Sequence, residues 1–334
     1  MEIVVASLAF TLAALCAAIM GFAIQRGATC TVAAVDEFID KRKLNRLAAI
    51  VEASIWVAGG LALAQLTHLL GRMPAGYPVS FWTVLGGALL GLGAFLNRAC
   101  VFGAIARFGS GEWAYIVTPL GIYVGALSVD RVFALPTPAK LAHGSPVIAA
   151  ALWLAAPFIA FALWRLLRLL RSILSQRAHD SHRRLHERVA MRVWSPHAAT
   201  TVIGITFFAM LLLVGAWDYT SLLSELARGM ATSKVARVLL LVALLAGAIV
   251  GGVTAGRFRS TRIAPAKLAK CFLGGVLMGW GGLLIPGQND GLILVGMPLL
   301  WPYAWVAFAT MCVVIGAALA IERAAGASAA QKSA

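Results

Sequence analysis

Acidic residues are scarce in this chain: 13 Asp and Glu stand against 28 Lys and Arg in 334 residues, and charged residues of both signs make up only 12%. A chain of this length with so little charge does not build a solvated globular surface. The patterns that carry catalysis are missing too: there is no Walker-type phosphate loop, His/Glu metal cluster or nucleophile elbow, so no enzyme and no cofactor is expected. No Cys-x-x-Cys pair exists, and the five cysteines give neither a zinc-type site nor a disulfide framework. Cys16, Cys271 and Cys312 lie within apolar stretches and read as small hydrophobes. Most of the six histidines fall in a basic insert or at the ends of apolar stretches, where they are solvated.

What the chain does have is apolar length. Hydrophobic residues make up 61% of it, and the mean hydropathy is +0.87. Nine stretches can each cross a bilayer core: 2–24, 47–70, 80–96, 113–134, 146–166, 198–217, 235–254, 268–285 and 302–322. The first, opening MEIVVASLAF, lacks a basic leader region and reads as a span rather than a removable signal peptide. The expectation is an all-α multi-pass protein of the lipid bilayer, about nine transmembrane helices with short re-entrant helices between them.

A net charge of +15 invites a nucleic-acid reading, but the basic residues sit in alternate loops between apolar spans. Loops 25–46, 97–112, 165–197 and 255–267 are rich in Lys and Arg, while 71–79, 135–145, 218–234 and 286–301 are poor. The positive-inside rule then places the N-terminus outside and the C-terminus in the cytoplasm, with no nucleic-acid partner. The expected organisation is a membrane half at 1–166, a basic cytoplasmic connector at 167–197 and a second membrane half at 198–334. Segments 27–36, 99–108 and 288–300 are too apolar for surface loops and too short to span. They read as re-entrant, because irregular backbone at membrane depth needs protein or a water-filled cavity around it.

The two halves share a repeat. Leu85 to Gly103, LGGALLGLGAFLNRACVFG, returns without a gap 188 positions later as LGGVLMGWGGLLIPGQNDG, and eight of the nineteen positions are identical. Both copies run apolar and glycine-rich until the same point, then break. The charge count orients the copies oppositely, which makes an inverted-topology repeat whose tips meet near the bilayer centre. Cys100 is the tip of one copy and Gln288 the tip of the other, with Asn289 beside it. Cys30 stands at a third break, in GFAIQRGATC. Gly27 and Gly287 let a solute approach backbone N–H groups that favour anions.

Arg26 and Arg98 flank the cysteines as anion-attracting charges or as anchors at the membrane face. Glu52, inside a span, is either a proton-coupling group or the partner of a basic residue such as Arg26 or Arg98. Asp290 reads as a local cap of its loop.

GFAIQRGATC, GLGAFLNRACVFGAIARFGSGEW and GGVLMGWGGLLIPGQNDG together resemble the YeeE/YedE family of bacterial inner-membrane sulfur-compound transporters, and the resemblance runs from Gly21 to about Leu300. It implies an hourglass-like helical fold and import of thiosulfate through a narrow centre lined by three cysteines. It also implies a small cytoplasmic sulfur-carrier protein as acceptor, for which the basic connector is a docking surface. Two family cysteines fall on Cys30 and Cys100. The third falls on Gln288, where this sequence departs from the pattern. That departure keeps alternatives open: a selenium compound or another small solute as cargo, or a membrane sulfur-relay or redox protein using Cys30 and Cys100 covalently.

Overall fold

A computed structural model describes residues 7–71, 73–134, 140–177, 194–230, 232–285 and 287–332. The elements are α1 (Leu8–Gly27), α2 (Thr31–Lys41), α3 (Asn45–Leu66), α4 (Phe81–Asn97), α5 (Val101–Gly109), α6 (Val117–Val132), α7 (Pro146–Ala149) and α8 (Ala151–Arg177). They continue as α9 (Pro196–Val214), α10 (Tyr219–Ala227), α11 (Lys234–Thr254), α12 (Pro265–Leu284), α13 (Asn289–Gly291, running into a π-helical turn Leu292–Gly296) and α14 (Pro302–Lys332). The described residues contain no strand.

Eight helices among them are long and apolar enough to cross a membrane. The pair Pro265–Leu284 and Asn289–Gly296, bent by 50°, brings the number to nine, one for each expected span. Their outward faces carry bare apolar side chains such as Leu15, Phe81, Trp153, Val242, Val313 and Ile321, a surface that lipid covers and water does not. Two boundaries differ from expectation. α8 continues to Arg177, past 166, and α14 reaches Lys332. Residues 178–193 of the expected connector lie outside the described residues.

The 188-position offset extends far beyond the nineteen-residue repeat. α9 starts 188 positions after α1, α10 after α2, and α13 after α5. Packing obeys the same relation. α1 lies on α9 and α4 on α12, while three further partnerships each have a swapped twin. The packing of α1 on α11 matches that of α9 on α3. In the same way, α6 on α12 matches α14 on α4, and α10 on α6 matches α2 on α14. This exchange of partners is the signature of a two-fold axis. α8 stands outside the scheme and leans on α3 and α7.

The axis passes through the crossing of α4 and α12. Gly86 faces Gly281 and Gly93 faces Gly274, so the helices run antiparallel and each glycine meets the repeat counterpart of the other glycine on its own helix. A Cβ added at any of the four would sit 2.5–2.7 Å from the facing glycine's carbonyl oxygen. Lipid tails are as apolar as leucine, so helix association in a membrane depends on such close backbone approach. Conserving backbone contact on both sides of one axis is the physical reason the glycine register is repeated.

Candidate functional site

Two helix breaks are built by the same backbone device. α1 stops where Ala28 enters the left-handed region (φ 46°), with Ala28 N–H on Gln25 O and Thr29 N–H on Ile24 O, both at 3.2 Å. α4 stops likewise at Arg98 (φ 58°), with Arg98 N–H on Phe95 O at 3.0 Å and Ala99 N–H on Ala94 O at 3.1 Å. This is the paired 6→1 and 5→2 helix stop. Cys30 and Cys100 then take extended backbone and become the N-caps of α2 and α5. Asn97 braces the second break from inside, its Nδ2 donating to Ala99 O at 2.9 Å and its Oδ1 accepting from Thr118 Oγ1 at 3.1 Å.

The two thiols meet. The Cys30 and Cys100 thiols are near neighbours, and the N–H of Thr31, the residue after Cys30, donates to Cys100 Sγ at 3.1 Å. The N–H groups of Val32 and Ala33 face the Cys30 sulfur, and that of Gly103 faces the Cys100 sulfur. Cys100 is fully buried and Cys30 partly so. Gly103 makes room, since a Cβ there would lie 2.5 Å from Cys30 Sγ. Both sulfurs therefore sit where the N–H groups of two half-helix starts converge, a setting that favours negative charge.

In the second half, Gln288 holds the position of Cys100. It is the buried N-cap of α13, with Nε2 donating to Ser224 Oγ and to Thr220 O at 3.4 Å, while Oε1 has no hydrogen-bond partner among the described residues. Asn289 is completely buried, and among the described residues neither its Nδ2 nor its Oδ1 has a partner. Gly287 adopts φ 140°, open only to glycine.

A cavity of about 10 Å³ is lined by Phe102 and Ile105 of α5, Ile24 of α1, and Trp217, Asp218, Tyr219 and Asp290, with Cys30, Cys100 and Gln288 outside its lining. It has room for no more than a single water. An ion passing from one tip to the other requires the half-helices to move apart.

The other expected residues are placed as follows. Gly27 packs α1 onto α9, where a Cβ would lie 2.3 Å from the Ala199 Cβ. Arg26 is buried, donates to Thr254 Oγ1 at 2.7 Å and stacks over Phe22 at 4.8 Å. Arg98 turns away from the thiols to an exposed ion pair with Glu322 and stacks over Phe95 at 5.0 Å. Glu52 pairs with neither of these arginines. Its carboxylate meets Arg165 Nε at 2.7 Å and the His197 ring, and accepts from Thr201 Oγ1 at 3.2 Å, tying α3 to α8 and α9. The expected pairing of Glu52 with a basic residue is made by Arg165, while Arg26 donates to Thr254 and Arg98 pairs with Glu322.

Asp290 is more than a local cap. Its Oδ1 accepts Gly291 N–H at 3.2 Å, but its carboxylate also receives the Thr220 hydroxyl and, at 3.4 Å, the Thr220 N–H from α10. Asp218, Thr220, Trp217 and Tyr219 were not singled out from the sequence. The signal was available, because Asp218 stands 188 positions after Cys30.

A family model described as "Sulphur transport" matches residues 26–319. TsuA of Escherichia coli (strain K12), a curated thiosulfate transporter, is 24% identical over 338 residues, covering 89% of this chain and 90% of that protein. With two neighbouring thiols at two helix breaks and a family match running from the first break into the last helix, the chain belongs to the sulphur transport family.

Proposed function

We propose that this protein imports thiosulfate, or a closely related sulfur anion, across the bacterial inner membrane into the cytoplasm. The observation that carries this reading is the meeting of Cys30 and Cys100 at two half-helix starts. A thiol offers a soft, weak S–H donor to the terminal sulfur of the ion, and the adjacent N–H groups serve its oxygens. Weak contacts suit passage, because a site that binds too tightly does not release. The family membership and the name of the E. coli relative support the same cargo.

The route runs from the Gln288 tip, past Cys100, to Cys30 and the basic face. Gln288 and Asn289 supply amide donors and acceptors in place of a third thiol, and Gly287 and Gly27 keep the breaks slim. Arg26 and Arg98 set a positive potential at the exit, where a small sulfur-carrier protein collects the cargo. The N-terminus is periplasmic and the C-terminus cytoplasmic in this reading. Radiolabelled thiosulfate uptake into proteoliposomes tests it: saturable uptake, competed by thiosulfate in preference to sulfate, is expected. A protein that takes up none, in either membrane orientation, contradicts it.

One observation also favours a covalent variant of the reading, since the two thiols are near neighbours. There a thiolate attacks the outer sulfur of thiosulfate, sulfite leaves, and a cysteine persulfide remains. Cys100→Ser separates the two, because a hydroxyl still donates a hydrogen bond but forms no persulfide.

A further inference from the structure

We propose that Asp218, Thr220 and Asp290 form a proton-binding site at the second-half tip, and that the sulfur anion passes only when the site holds its proton. The proposal rests on the transport reading above and adds to it what accompanies the anion.

The first argument is stereochemical. Thr220 Oγ1 is within hydrogen-bonding distance of Asp218 Oδ1, at 3.1 Å, and also of Asp290 Oδ1. A hydroxyl has one hydrogen, and ionised carboxylates only accept. Thr220 can therefore donate to one carboxylate alone. The second contact is attractive only if the other carboxyl carries a proton and donates it to the hydroxyl oxygen.

Burial points the same way. Asp218 is 8% exposed and Asp290 2%, and two buried like charges sharing one partner cannot both ionise cheaply. The groups facing them, among the described residues, bring little relief. Tyr219 lies beside them on α10, and Cys100 is near Tyr219 on α5. Arg237 on α11 acts on Asp218 from a distance, with its guanidinium bound to Glu225. α6, packed on α10, contributes Asp130, which pairs with Arg228.

A second observation marks the place as a ligand site. The Trp217 indole N–H and the Tyr219 hydroxyl are buried and have no hydrogen-bond partner among the described residues, and both residues line the cavity shared with Asp218 and Asp290. Two unmet donors beside two acceptor-rich carboxyls suit an oxyanion only after a carboxyl has been neutralised.

The two-fold relation gives the site its meaning. In the first half the N-cap side chain of α2, Cys30, lies on Gly103; in the second the N-cap side chain of α10, Asp218, lies on Gly291, 3.5 Å from where a Cβ would be. One half presents an S–H donor at this place, and the other presents a carboxyl that donates only when protonated. Protonated, the carboxyl matches the thiol as a neutral donor to the ion; ionised, it repels the same ion.

The test uses the full chain in liposomes. Infrared spectra at neutral pH, with and without ¹³C-labelled aspartate, are expected to show a label-shifted C=O band of a protonated carboxyl. That band disappears in Asp290→Asn. Its absence from the unsubstituted protein overturns the proposal and needs no variant to fold. In uptake assays at fixed inner pH, thiosulfate entry is expected to fall toward about tenfold per unit as outer pH rises past the point where the site loses its proton. Asp218→Asn and Asp290→Asn are expected to flatten that dependence, and an unchanged profile in a folded variant overturns the proposal. If no thiosulfate enters at any pH while the infrared band is present, the transport reading fails and the proton site stands.

Discussion

Cys30 and Asp218 occupy the same place in the two halves of this protein: Cys30 Sγ rests on Gly103, and Asp218 Oδ2 rests on Gly291. Their backbones match as well, since each residue is the extended N-cap of a half-helix, α2 or α10. The fold thus offers equivalent positions on both sides of its axis, and the sequence fills one with a thiol and the other with a carboxyl. In the proposed route, the chemistry at each position is a matter of which side chain it carries.

Gly103→Ala tests the thiol side by packing alone. The added methyl would meet Cys30 Sγ at 2.5 Å, tighter than any ordinary contact, so the thiol must leave its place beside Cys100. Thiosulfate uptake is expected to fall at least tenfold, with size-exclusion behaviour unchanged. Gly291→Ala meets only Asp218 at 3.5 Å and is expected to be far milder.

The α4–α12 crossing answers to volume. Gly281→Val would place a Cβ 2.5 Å from Gly86 O, so the two backbones must separate. Overpacking of this kind costs about 1–3 kcal/mol. A lowered melting temperature in detergent is the expected reading, and Gly86→Val should show the same loss, because the two sites face each other across one axis.

Glu52 ties α3 to α8 and α9 through Arg165, His197 and Thr201. Replacing Arg165 with Met leaves the Glu52 carboxylate with His197 and Thr201 and exposes the cost of a poorly compensated buried charge, about 3–5 kcal/mol at the upper end. Removing Glu52 as well is expected to recover much of that loss, which a double-mutant cycle on thermal unfolding measures. Uptake per folded molecule is expected to change little in the double variant.

Gln288→Cys restores the thiol that the family resemblance expects. It gives up the amide bonds to Ser224 and Thr220 and supplies a soft contact instead. Competition of labelled thiosulfate uptake by selenium and sulfite analogues is the measurement, with a shift toward softer cargo as the expected outcome.

Much of this was legible before any coordinates. Glycines that touch backbone across an axis cannot drift, so the repeat of Leu85 to Gly103 exposed both the crossing of α4 with α12 and the positions of Cys100 and Gln288. Apolar length gave the spans, because a bilayer imposes one. Asp218 stayed hidden for the opposite reason. At a site the backbone is kept while the side chains diverge, so the position 188 residues from Cys30 bears no likeness to it. The partners of Glu52 were equally out of reach, since Arg165 and His197 arrive from helices more than a hundred residues away and nothing local announces them. Arg98 looked like a companion of Cys100 from adjacency alone, yet the left-handed turn at that residue aims it outward to Glu322.

The central claim is that a sulfur anion is handed along the buried Cys30 and Cys100 thiols. Its most direct measurement is radiolabelled thiosulfate uptake into proteoliposomes holding equal amounts of folded protein with and without Cys100→Ala. Loss of saturable uptake in the variant is the predicted result, accompanied by loss of thiosulfate-dependent growth in cells lacking other importers. Uptake at the unsubstituted rate would contradict the account.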